Sequence, residues 1–226
     1  MKFKALLLDI DNTVYDYNSS HQHGMEMVYQ YCESTFNINR DNLTSAFDLA
    51  RKRVHIELSE TAASHNRLLY FQKMLEILNI SPLVHSMDVY NMYWDNFLEK
   101  ITPFDGIYEV LEKYKSKICL VTDLTAHIQH RKIKKLKLDQ YCNCIVTSEE
   151  AGKEKPHPYM FIMALQKLGL QVSDVCMIGD SFKKDIFGAA NLNIQSIWIN
   201  HDNKQEDTSN DLIKEVKTVD EIIELI

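Results

Sequence analysis

The apolar run Ala5-Leu6-Leu7-Leu8 ends in Asp9-Ile10-Asp11-Asn12-Thr13. A short run with no polar residue to face water reads as a strand covered on both faces, the kind found in parallel sheets flanked by helices. Two carboxylates one residue apart at the end of such a strand are costly unless a metal or a cationic partner offsets them. Period-2 geometry sends both side chains to the same side, with Ile10 opposite. The pair is therefore expected to point at one spot, beside a hard cation.

The rest of the chain extends this pattern. Residues 117–122, 143–147, 174–179 and 194–199 are further short apolar runs rich in β-branched residues. Helical stripes lie between them: Ile107, Val110, Leu111 and Tyr114, with Asp105 placed to cap them, and Phe161, Leu165 and Leu168, begun by Pro156 and Pro158 and ended near Gly169. This alternation predicts an α/β fold, a Rossmann-like parallel sheet core. Residues 18–100 contain no convincing strand. Helices are expected near 21–35, 41–58, 65–78 and 83–99, the last opened by Ser81-Pro82. The expected division is a core of 1–17 and 101–226 with an inserted all-helical cap at 18–100. An insertion there would stand over the C-terminal edge of the sheet, where open α/β sheets bind ligands. Residues 201–211 read as a polar loop and 218–226 as a short final helix.

Composition excludes some functions. The net charge is −7 and no long basic block occurs, which argues against a nucleic-acid polymer or a membrane surface as partner. The N-terminal apolar stretch stops at Asp9, too short for a signal peptide. Five scattered cysteines suit reduced thiols and a cytoplasmic location. Cys142-x-Cys144 would hold a soft metal only with help from elsewhere and reads as small hydrophobes beside a strand. His21-x-His23 reads as ordinary, and Tyr90, Tyr93, Trp94 and Phe97 as cap core rather than a base-stacking wall.

Three more loops should converge on Asp9 and Asp11, because parallel strands bring their C-terminal ends together. They carry Thr122-Asp123-Leu124-Thr125, Glu154-Lys155-Pro156 and Gly179-Asp180-Ser181-Phe182-Lys183-Lys184-Asp185. Acidic groups, one hydroxyl and one lysine suit phosphoryl transfer onto a carboxylate. In order and register these segments resemble the four motifs of the haloacid-dehalogenase-like hydrolases, and residues 18–100 resemble the helical C1-type cap of that superfamily.

That resemblance implies roles. Asp9 would be the nucleophile and form an aspartyl-phosphate. Mg²⁺ would be held by the Asp9 side chain, the Asp11 backbone carbonyl and Asp180. Asp11 would protonate the leaving alkoxide and then deprotonate the hydrolytic water. Thr122 would donate to a phosphate oxygen, and Lys155 would neutralise the transferring group. Asp185 would hold Lys155 or a metal-bound water. Asp180 also sits where an N-cap would, and Lys183 and Lys184 read as a solvated helix face. An aspartate at position 11 favours phosphate esters over carbon–halogen bonds. Asp11–Asp16, Asn66-Arg67-Leu68-Leu69-Tyr70 and Ile197–Asn200 are similar to nucleotide 5′-phosphatases and N-acylneuraminate-9-phosphatases. Arg67 is the candidate grip on a substrate carboxylate or phosphate. Asp123 and Leu124 depart from the family's Asn-Gly, and the extra Asp123 carboxylate would weaken anionic substrates or orient a sugar hydroxyl. Asn193 stands where relatives place Gly, at a turn that Asn tolerates. The expected activity is a phosphomonoesterase on a small phosphate ester, a nucleotide 5′-monophosphate or sugar phosphate. A sugar phosphomutase and a non-catalytic binding protein on the same fold are the alternatives.

Overall fold

The computed structural model describes residues 2–226. Six parallel strands form one sheet: β1 (Ala5–Leu8), β2 (Ile118–Thr122), β3 (Cys144–Thr147), β4 (Val175–Gly179), β5 (Gln195–Ile199) and β6 (Ile213–Val216). Their order is β3-β2-β1-β4-β5-β6. The chain separates into two compact units, one formed by the chain up to Asp16 with Thr102–Ile226, the other by Tyr17–Ile101.

In the first unit the sheet's alternation sorts the core. Ala5, Leu7, Cys119, Val121, Val175 and Met177 share one cluster with Met160, Phe161 and Ala164 of a helix. The intervening Leu6, Leu8, Ile118, Leu120, Cys176 and Ile178 are equally buried. Each Leu, Ile, Val, Met or Phe side chain among them contributes about 1.5–3 kcal/mol on burial. Both faces of the central strands are therefore covered, as the unbroken apolar runs require.

The second unit is helical: α1 (Tyr17–Phe36), α2 (Arg40–Glu57), α3 (Arg67–Ile77) and α4 (Pro82–Lys100). Side chains of Asn39 and Asn66 cap α2 and α3, and Pro82 sits at the first turn of α4. Tyr93, Trp94 and Phe97 are buried in this unit's core, with ring centroids of Tyr93 and Trp94 4.9 Å apart and of Trp94 and Phe97 5.0 Å apart. A Cβ at Gly24 would lie 3.0 Å from Tyr93, so glycine permits α1 and α4 to approach this closely.

Back in the first unit, the remaining helices include α5 (Ile107–Lys113), α6 (Ala126–Lys135), α7 (Ser148–Ala151) and α8 (Pro158–Leu168). Gly169 ends α8 at φ 66°, and Asn193 adopts φ 59°, the left-handed turn expected of it. Three local expectations need correction. Gly106, at φ 76°, caps α5 in place of Asp105, because a left-handed residue makes that entry. Ser181 rather than Asp180 caps the π-helical turn Phe182–Phe187, its side chain accepting from Lys184 N. The polar loop after β5 is followed by β6, an unexpected sixth strand on the sheet's edge.

Candidate active site

Strand order places the site. β1 lies between β2 and β4, and the chain winds outward from this pair in both directions, the switch point at which open α/β sheets leave a crevice. Asp9 follows β1, Thr122 ends β2 and Asp180 follows β4. With Asp11, Asp123, Lys155, Ser181, Lys184 and Asp185 they line a cavity of about 130 Å³.

Lys155 organises one side of it. Its Nζ donates to Asp9 Oδ1 at 2.6 Å and to the Val121 carbonyl at 2.9 Å. It also lies 2.6 Å from Asp185 Oδ1, out of line for a hydrogen bond. Asp9 Oδ2 accepts from the Thr13 hydroxyl at 3.0 Å. Asp185 is fixed through its other oxygen, which accepts from Ser181 N at 3.1 Å. A Cβ on Gly179 would come within 2.4 Å of that oxygen, so only glycine leaves room for Asp185 here.

One lysine does not balance three carboxylates. Oxygens of Asp9, Asp180 and Asp185 lie within 4.8 Å of one another. Burial pushes the Asp9 carboxyl up to about 7, against the pull of Lys155, and Asp185 and Asp11 add repulsion. Burial, then Asp9 and Asp185, push Asp180 up to about 8. Three hard oxygen donors that resist ionising together are the donor set for a divalent cation that brings its own waters. Mg²⁺ fits this set. Asp185, expected beside Lys155 or a metal-bound water, stands with Asp9 and Asp180 in this cluster, and the Asp11 carboxylate stands outside it, in keeping with a contribution through its backbone carbonyl alone.

Asp11 lines the same cavity as Asp9, as strand alternation predicts, but its carboxylate does not join the acidic cluster. Its oxygens turn to Lys132 Nζ, at 2.6 and 2.8 Å. The Tyr15 hydroxyl donates to one of them and Gln129 Nε2, at 3.4 Å, to the other. Burial alone would raise the Asp11 carboxyl, but the charge of Lys132 and the three donors hold it below the usual carboxylate range. Gln129 Nε2 also reaches Thr122 Oγ1 at 2.8 Å and the Asp123 carbonyl at 2.7 Å. Sequence reasoning missed Lys132, Gln129 and Tyr15.

It also misplaced Lys184. Lys183 is exposed, but Lys184 Nζ lies 2.8 Å from Asp123 Oδ2 and 3.5 Å from Glu154. Asp123 Oδ1 accepts from Lys155 N at 3.0 Å. Both oxygens of Asp123 are thus engaged by the protein, and its charge is met by Lys184. Leu124, buried, adopts a positive φ of 92°, a conformation costing about 1–3 kcal/mol.

Arg67 lies in the second unit and is buried. Its Nη1 donates to the His65 carbonyl at 3.0 Å and its Nη2 to the Tyr17 hydroxyl, and the guanidinium stands 5.0 Å from the Tyr70 ring centroid. Nε is buried without a hydrogen-bond partner. Nearby His21 accepts from or donates to Tyr93 at 2.7 Å. Burial, then Arg67 and Arg51, push its imidazole down to about 3, so it is neutral near pH 7.

Residues 6–199 match the family described as Haloacid dehalogenase-like hydrolase. The ribulose-1,5-bisphosphate 5-phosphatase of Halopiger xanaduensis is 31% identical over 198 residues, 85% of this chain and 83% of that protein. The pyrimidine 5′-nucleotidase YjjG of Escherichia coli is 24% identical over 91% of this chain and 90% of its own length. The N-acylneuraminate-9-phosphatase of Homo sapiens is 22% identical over 88% and 83%. Among solved structures, the magnesium-bound HAD-hydrolase YfnB of Bacillus subtilis aligns with a TM-score of 0.76 at 18% identity, covering 100% of this chain and 99% of that one, a likeness of fold.

Proposed function

We propose that this chain, which belongs to the haloacid dehalogenase-like hydrolase family, is a Mg²⁺-dependent phosphomonoesterase that works through a phosphoryl group carried on Asp9. One observation carries the reading: a buried lysine lies 2.6 Å from both Asp9 and Asp185, beside a third carboxylate, at the sheet's switch point. Asp9, Asp180 and Asp185 would hold the cation, with the Asp11 carbonyl as a further ligand. When bound, the cation would screen the repulsion between the Asp9 carboxylate and a phosphate dianion.

The chain's own groups supply the rest. A carboxylate oxygen of Asp9 forms the bond to phosphorus as the ester P–O bond breaks, and the leaving alkoxide takes a proton from Asp11, which Lys132 keeps ionised in the free site and which gains that proton from the incoming phosphate monoanion. Water then attacks phosphorus, Asp11 takes its proton, and Asp9 and inorganic phosphate are released. Lys155 and the Thr122 hydroxyl stabilise charge on the transferring group. Asp185 holds Lys155 in place, and Asp123 anchors the Lys155 backbone while Lys184 offsets its charge.

The proposed substrate is a small phosphorylated metabolite, a sugar phosphate or nucleotide 5′-monophosphate. Arg67 is the proposed grip on a substrate anion. A buried guanidinium whose neighbours are a carbonyl, a hydroxyl and aromatic rings, with Nε unsatisfied, has electrostatic capacity left for a carboxylate or second phosphate. The test is phosphate release from nucleotides and sugar phosphates, with Mg²⁺ and with chelator. Mg²⁺-dependent release abolished by Asp9→Asn is expected. Release that survives chelation or Asp9→Asn would overturn the reading, and isomer formation without release would favour a mutase.

A further inference from the structure

Among the described residues two lysines are buried, Lys155 and Lys132, and each takes one of the two aspartates that open the chain. Lys155 belongs to the phosphate side. Lys132, fully buried on α6, has no place in the four-segment pattern, yet it contacts both oxygens of Asp11. A lysine is rarely taken fully out of water without a partner that requires it. We propose that Lys132 is the positioning residue for the proton-carrying carboxylate: with Tyr15 and Gln129 it fixes the orientation of Asp11 and keeps that carboxylate out of the acidic cluster beside Asp9.

Four observations carry this. The Asp11 carboxylate receives donors on both oxygens, from Lys132, Tyr15 and Gln129, so its rotation is restrained from three sides. Gln129 reaches Thr122 as well, so the same support registers Asp11 against the second loop of the site. Asp9, Asp180 and Asp185 already crowd three carboxylates within 4.8 Å, and Asp11 lines the same cavity. An Asp11 side chain freed from Lys132 would be an additional hard ligand for any cation there. Lys132 would then separate the work of two neighbouring aspartates, one for phosphorus and one for protons.

The proposal rests on Asp11 as acid and base, and the experiment separates the two claims. Turnover of an alkyl phosphate, whose leaving group needs a proton, is compared with that of p-nitrophenyl phosphate, whose leaving group does not. The proteins are wild type, Lys132→Met, Lys132→Arg, Asp11→Asn and Asp11→Asn/Lys132→Met. We expect Lys132→Met to lower kcat for the alkyl ester at least tenfold more than for the nitrophenyl ester, with KM shifted less than threefold. Lys132→Arg should recover part of the loss, and the double variant should be no worse than Asp11→Asn alone. In the metal-free proteins, Mn²⁺ titration should show tighter binding to Lys132→Met than to wild type, a readout independent of turnover. Equal losses on both esters, additive losses in the double variant, or unchanged Mn²⁺ affinity overturn the proposal. If Asp11→Asn itself shows no leaving-group selectivity, the acid–base reading of Asp11 fails instead. Should Lys132→Met not fold, Lys132→Gln, which keeps a donor without the charge, takes its place in every comparison.

Discussion

Replacing Asp9 with asparagine should make the metal-free protein increasingly more stable than wild type as pH rises. Asp9 has a folded-state value of about 7 against an ordinary 3.8, raised mainly by burial. The folded protein therefore holds a proton there that the unfolded chain has already lost, so the group's contribution is fully present below about pH 4 and disappears as pH rises toward 7. From about pH 5 to the folded value is two pH units, or about 3 kcal/mol at 1.36 kcal/mol per unit. Asparagine does not titrate, so its stability relative to wild type should improve by about that amount between about pH 5 and 8. His21 titrates with the opposite sign, its neutral form being favoured by burial, but it is common to both proteins and cancels. The assay is urea denaturation in chelator, followed by Trp198, whose indole donates to the Asp180 carbonyl at 2.8 Å, in a Trp94→Phe background. For a chain this size the change corresponds to about 6–12 °C in melting temperature. Mg²⁺ should raise wild type above its chelated value at about pH 8 and do less for Asp9→Asn. A pH-independent difference, or one that shrinks as pH rises, would refute the claim that burial makes the Asp9 carboxylate costly to ionise at this site.

Two further perturbations test its supports. Gly179→Ala puts a Cβ 2.4 Å from Asp185 Oδ2; it should cost about 1–3 kcal/mol in stability and lower kcat by displacing Asp185 from Lys155, both measurable on the purified variant. Lys184→Met leaves the Asp123 charge without its cation; KM for a phosphate ester should rise about tenfold, equivalent to about 1.4 kcal/mol, and Asp123→Asn in the same protein should restore it, whereas an unrestored KM would mean that Lys184 acts by another route.

The fold was legible where burial was two-sided. β1 to β4 are near-continuous apolar runs, β5 keeps one in Ile197-Trp198-Ile199, and the Asn-capped and Pro-started helices announce themselves. β6 was not, because Ile213-Lys214-Glu215-Val216 buries only its ends and exposes the middle, as a short edge strand does. The motif residues were legible because catalysis leaves charge where packing would not. Lys132 and Gln129 were hidden in a basic helix whose exposed Lys134 and Lys135 make the whole run look solvated. A signal was available: Ile128, Lys132 and Leu136 share one stripe, as do Gln129 and Ile133, so the helical period places a lysine and an amide on the apolar face. Lys184 was missed for a different reason. The segment Phe182–Phe187 is a π-helical turn, and no periodicity read from sequence gives the direction of a side chain there. Asp11 faces the cavity with Asp9 as alternation predicts, but the lysine that meets its charge comes from a helix over a hundred residues away and leaves no mark beside it in the sequence.

The central claim is that Asp9 carries the phosphoryl group. Asp11→Asn slows the hydrolysis of that intermediate while p-nitrophenyl phosphate spares the first step its need for an acid, so the pair should let the intermediate accumulate. After rapid acid quench of this variant with substrate and Mg²⁺, peptide mass mapping should find one phosphoryl group on the peptide containing Asp9, and none when Asp9 is also replaced. Nitrophenol release with no protein-bound phosphoryl group, or a phosphoryl group on any other residue, would contradict the account.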